Sequence, residues 1–129
     1  MAYGPIGSTG GLTGFSTVNT SGFSITQLTA FPTQLCLVSL GNTSAAARYL
    51  KIFDSATALS AAGMSATWSF IIPGNTAGAG SNLTISQGPP TMGGLQLNAG
   101  LAFGITANAA LTDQSGANAG EVNIVLGYR

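Results

Sequence analysis

The chain has no histidine, and only six of its 129 residues carry a formal charge: Arg48, Lys51, Arg129, Asp54, Asp113 and Glu121. Without histidine, a nucleophilic relay lacks its usual general base. Hydrolysis by paired carboxylates needs two acids flanking one bond. The three acids here are scattered, and Asp113 sits in a turn sequence where a carboxylate caps backbone amides. Three dispersed cations cannot follow a phosphate backbone, which excludes nucleic acid as a partner. The single cysteine, Cys36, rules out an intramolecular disulfide and a multi-thiolate metal site. Within Leu35-Cys-Leu-Val-Ser-Leu40 it reads as a small buried hydrophobe. No G-x-x-x-x-G-K phosphate cradle and no dinucleotide G-x-G-x-x-G after a strand occurs. The expectation is a protein that is not an enzyme, with no cofactor, no metal and no small-molecule substrate.

No run approaches the ~20 apolar residues of a membrane span, so no membrane partner is expected. The opening Met1-Ala-Tyr-Gly-Pro-Ile-Gly has neither a basic region nor an apolar core. Synthesis in the cytoplasm of the producing cell, without a signal peptide, is therefore expected. In that setting Asn19-Thr-Ser, Asn42-Thr-Ser and Asn82-Leu-Thr are chance matches to the glycosylation sequon.

What the chain does have is neutral polarity. Charged residues make up 5% of it, against about 25% in ordinary soluble domains, and serine, threonine, asparagine and 19 glycines take their place. A surface of this kind offers little electrostatic repulsion, which points to an assembly component.

Residues 1–22 are rich in glycine, serine and threonine, with isolated apolar residues, and read as an extended arm ahead of a domain over residues 23–129. Spaced apolar anchors suit a segment that orders on a partner, which marks Tyr3, Pro5, Ile6, Leu12 and Phe15 as partner-contacting candidates. Beyond the arm, short alternating runs cover 23–28, 34–40, 48–54, 66–72, 82–86, 94–97, 101–107 and 122–128, separated by Gly, Pro and Asn turns. The run 34–40 is apolar at nearly every position and reads as covered on both faces. Residues 55–62 read as a loop with one helical turn at most, and Pro73, Pro89 and Pro90 as breaks. About eight short strands with no alternating helices indicate an all-β fold, a single antiparallel β-sandwich or jelly-roll-like domain with an extended N-terminal arm. The last two runs read as a β-hairpin, with Phe103, Ile105, Val122, Ile124 and Leu126 in the core. Trp68 would serve as a sugar-stacking platform if exposed, but its alternation with Phe70 and Ile72 puts it on the core face. Arg48, Lys51 and Asp54, within seven residues, are either solvated strand charges or salt-bridge partners at an interface.

The run Tyr49-Leu-Lys-Ile-Phe-Asp-Ser-Ala, then Trp68-Ser-Phe-Ile-Ile-Pro, Gly100-Leu-Ala-Phe-Gly-Ile and Gly120-Glu-Val-Asn-Ile-Val-Leu-Gly-Tyr, resembles blocks found in small virion proteins of tailed bacteriophages. The resemblance covers residues 48–129. It implies a capsid decoration, or cement, protein: a β-sandwich, a homotrimer in many cases, bound to the major capsid protein on the outside of the head. That places the protein in the virion, on the capsid exterior, where it stabilises the shell. A phage tail or fibre adhesion module that binds glycans is the alternative.

Overall fold

Alternation of apolar and neutral polar residues dictates strands, and strands are what form. The computed structural model of the protein describes residues 12–57, 65–75, 81–86 and 94–129. Among these residues there are nine strands and no helix: β1 (Thr13–Val18), β2 (Thr26–Gln27), β3 (Thr33–Asn42), β4 (Arg48–Asp54), β5 (Trp68–Ile72), β6 (Ser81–Ser86), β7 (Leu95–Leu97), β8 (Leu101–Thr106) and β9 (Val122–Tyr128). They build two antiparallel sheets. One has the order β1-β9-β3-β6, with β7 also paired to β3, and the other has the order β2-β8-β4-β5. Successive strands cross repeatedly between the sheets, and the resulting order is that of a jelly roll.

The core lies where the inward-facing positions of the two sheets meet. Leu35, Val38 and Leu40 of β3 pack with Leu50 and Ile52 of β4, with Leu101, Phe103 and Ile105 of β8, and with Val122, Ile124 and Leu126 of β9. Trp68, Phe70 and Ile72 face the same core, Ile72 fully buried and the two aromatics partly so. The core positions expected on β8 and β9 are therefore where alternation put them.

The expected closing hairpin is not formed. β8 pairs with β2 and β4, whereas β9 pairs with β1 and β3 in the opposite sheet. Both runs carry the right alternation for a pair, but residues 107–121 carry the chain across the sandwich instead of turning it back. The strand expected over 34–40 is longer and one-sided: inward residues are buried, and Leu37, Ser39 and Gly41 on its other face are only half-buried. Its register shifts between Leu35 and Leu37, so Cys36 is the extra residue of a β-bulge. On one edge β9 runs the length of β3, while the other edge is shared by β7 before the bulge and β6 after it.

Part of the arm belongs to the sandwich. Thr13–Val18 form β1, paired residue for residue with β9 from Thr13↔Tyr128 to Val18↔Asn123. The first run beyond the arm shrinks to β2, because Phe23 and Ile25 leave the ladder and cover the outer face of the second sheet with Phe53, Ala66 and Ala102. Gly104 makes this possible. A side chain there would meet the Phe23 ring and the Ser24 carbonyl oxygen, each at 2.8 Å. Residues 58–62 of the expected loop, and Pro89 with Pro90, lie outside the described residues.

Replacing a fully buried core leucine leaves a void that a two-sheet core cannot close. Leu50→Ala is expected to cost about 2–5 kcal/mol, read as a lowered urea midpoint with an unchanged denaturant slope.

Candidate interaction surface

Of the arm residues singled out for partner contact, Tyr3, Pro5 and Ile6 lie outside the described residues. Leu12 is exposed just before β1. Phe15 turns inward: its ring meets Phe103 edge to face at 5.6 Å and packs on the core. It thus anchors β1 to its own domain. Asn19 donates its backbone N–H to the Val122 carbonyl, which in this register turns the peptides of Thr13, Phe15 and Thr17 toward β9. The peptides of Gly14, Ser16 and Val18 face outward along the edge, where no described strand pairs with them.

The three charges singled out on β4 are engaged within the chain. Arg48 forms a two-pronged ion pair with Glu121, Nε to Oε2 at 2.8 Å and Nη2 to Oε1 at 3.2 Å. The Arg48 guanidinium, helped by Asn118, holds the Glu121 carboxyl below its ordinary pKa against the opposing effect of burial. Lys51 is fully buried. Its neighbours in register, Gly104 and Ser69, are small enough to leave room for its stem. Its ammonium donates to Ser69 Oγ at 2.9 Å and to the Ala109 and Ala110 carbonyls at 2.8 Å each, and lies 5.4 Å from the Tyr49 ring centre. Desolvation lowers its pKa, and the charge of Asp113 opposes that shift. Asp54 accepts the backbone N–H groups of Asn98, Ala99 and Gly100 at 3.0, 2.8 and 3.3 Å. Burial raises its pKa, but these three bonds outweigh that and hold it low.

Asp113 is likewise used locally. It accepts from the Ser115 hydroxyl at 2.5 Å and the Asn108 amide at 3.0 Å, bonds that outweigh burial and lower its pKa. Arg48, Lys51, Asp54, Asp113 and Glu121 are thus bonded inside the chain, and Arg129 also pairs its backbone with Gln34. Among the described residues no three His, Cys, Asp or Glu side chains converge on a metal position.

What the surface offers is neutral. The outer face of the first sheet presents Gly14, Ser16 and Val18 beside Asn123 and Val125. At the open side of the sandwich, where β1 and β2 end the two sheets, a cavity of about 270 Å³ is floored by Phe15, Phe103, Ile105 and Ile124. Thr17, Thr20, Ser24 and Thr26 line its walls. The sequence did not point to this cavity, because its two walls come from β1 and from the departure of the chain from β8, neither of which leaves a periodic signal.

No family model, curated protein or solved structure matches the chain.

Because the folded pKa values of Asp54, Asp113 and Glu121 lie below their unfolded ones, the stability they supply is present above the unfolded values. It is lost as the pH falls through the folded values, so an acid limb in the melting temperature is expected. Asp54→Asn should cost about 1–2 kcal/mol at neutral pH and flatten that limb, as measured by thermal melts from neutral to acid pH.

Proposed function

We propose that the chain is a structural virion protein that decorates a bacteriophage capsid, binding the major capsid protein on the outer surface of the head as a homotrimer and stabilising the shell. The observation that carries this reading is the disposition of charge: the few ionic groups hold the fold and the surface is left neutral. Such a surface suits permanent packing against a protein shell, where contact is made by apolar side chains, hydroxyls and backbone edges. The jelly roll supports the reading by analogy of fold, since viral capsid domains use it, although the same architecture also serves lectins. Many identical weak contacts on one shell add up through avidity. Residues 1–11, which carry Tyr3, Pro5 and Ile6, are assigned to the capsid contact in this reading. Arg48, Lys51 and Asp54 are assigned to the fold and not to the interface.

The alternative, a tail or fibre adhesion module, is favoured by one feature, the neutral cavity between β1 and β2.

Binding to undecorated heads, measured by co-sedimentation, should change less than about threefold between low and high salt, because screening acts on exposed charge pairs. A steep salt dependence, or no binding to any head, overturns the proposal. Removing residues 2–11 should leave the thermal melt unchanged and abolish head binding. Truncation into β1 should also lower the melt, since Phe15 packs on the core. Light scattering should give the mass of three chains.

A further inference from the structure

The cavity beside β1 has an unusual wall. Ser55 N–H bonds the Gly100 carbonyl, and Leu28 N–H bonds the Leu101 carbonyl. With the registers of β8, these bonds turn the peptides of Gly100, Ala102, Gly104 and Thr106 toward β4, and those of Leu101, Phe103 and Ile105 toward β2. Leu101 and Phe103 find partners there, because Thr26 sits opposite Phe103. The next partner for β8 would be Ser24 opposite Ile105, but the ladder stops at Thr26. Further on the edge closes again: Ala107 N–H bonds the Ser115 carbonyl, and Gly22 bridges to Ala117. Ile105, only 5% exposed, therefore turns a peptide donor and a peptide acceptor into the cavity, where no described group bonds them. Buried backbone groups are almost always paired, so an open pair at a cavity wall marks a place for a ligand or for water.

We propose that this cavity binds one neutral saccharide unit. The opening is one residue wide and closed at both ends, which is too short for an added strand and suits a compact ligand. That ligand must give and accept hydrogen bonds at Ile105. Thr20, Ser24 and Thr26 line the same space, Thr26 on the inward face opposite Phe103, and no described group bonds their hydroxyls. Apolar CH faces fit the floor of Phe15, Phe103 and Ile124. No charged side chain lines the cavity, so a charged ligand would lose its hydration without compensation. A ring carrying several hydroxyls and an apolar face meets all of these conditions. The site is independent of capsid attachment, and on a shell carrying many copies such single-saccharide sites would act together on a glycan-coated surface.

The test is an amide NMR titration of the whole chain with the methyl glycosides of glucose, galactose, mannose and N-acetylglucosamine, with glucuronic acid as the charged comparison. The expected result is saturable shifts at Ser24, Thr26, Gly104 and Ile105 for at least one neutral glycoside, and weaker binding of the uronic acid. The Ser24→Ala, Thr26→Val pair should weaken binding about five- to tenfold, and Thr26→Ser should retain it. A second readout needs no variant: in the free protein the Ile105 amide should exchange with deuterium much faster than that of Phe103, and the bound glycoside should slow it. The absence of saturable shifts with every neutral glycoside, shifts outside the cavity, or slow Ile105 exchange in the free protein overturns the proposal.

Discussion

A jelly roll can stand only if the chain is held wherever it passes from one sheet to the other, because a crossing segment has no ladder to satisfy its peptides. Here those places are held by a handful of polar side chains. Arg48 of β4 reaches Glu121 at the entry to β9 and ties the two sheets together. Asp54 at the far end of β4 gathers the three amides that lead from β7 to β8. Lys51 between them holds residues 109 and 110 as they leave β8. Asn42 performs the same task without charge, donating to the carbonyls of Ala46, Ile72 and Pro73 at the ends of neighbouring strands. Each polar group is buried or half-buried, and each is satisfied, which is the condition under which burying it does not destabilise the fold.

This use of charge shapes everything outside. A chain with only six charged residues, of which Arg48, Lys51, Asp54, Asp113 and Glu121 bond within the domain, offers little charge for long-range attraction or repulsion. Recognition must then come from contact: fit, apolar burial, hydroxyl groups and open backbone edges. The outward peptides of β1 and the single open peptide of Ile105 are two such edges. They differ in kind, the first a row accessible from the side and the second one residue recessed between walls.

Much of this was legible in the sequence, and the part that was not has a common cause. Alternation is local, so it located β4 residue for residue and placed Val122, Ile124 and Leu126 in the core. Which strands pair is a long-range matter. Two runs with the same alternation near the end of the chain looked like partners, yet each found better-covered neighbours in a different sheet. β1 escaped notice because threonine and glycine occupy half of its inward and outward positions, leaving Phe15 as its one strong anchor. The fate of Lys51 was hidden for the same reason. Only the register shows that Gly104 and Ser69 flank it and that a carbonyl pair from a distant loop meets its ammonium.

The bulge at Cys36 has a consequence for how the domain breathes. A long central strand bordered by one equally long partner tends to open as a unit. β3 is bordered on that side by two short strands that meet at the bulge, with β7 holding Thr33–Leu35 and β6 holding Leu37–Asn42. Three ladder positions can therefore release while six stay closed, and β9 on the other edge keeps the strand in place throughout. The sheet has in effect a small shutter beside a large one, hinged on a single extra residue, so local opening and global unfolding are separable motions in this fold.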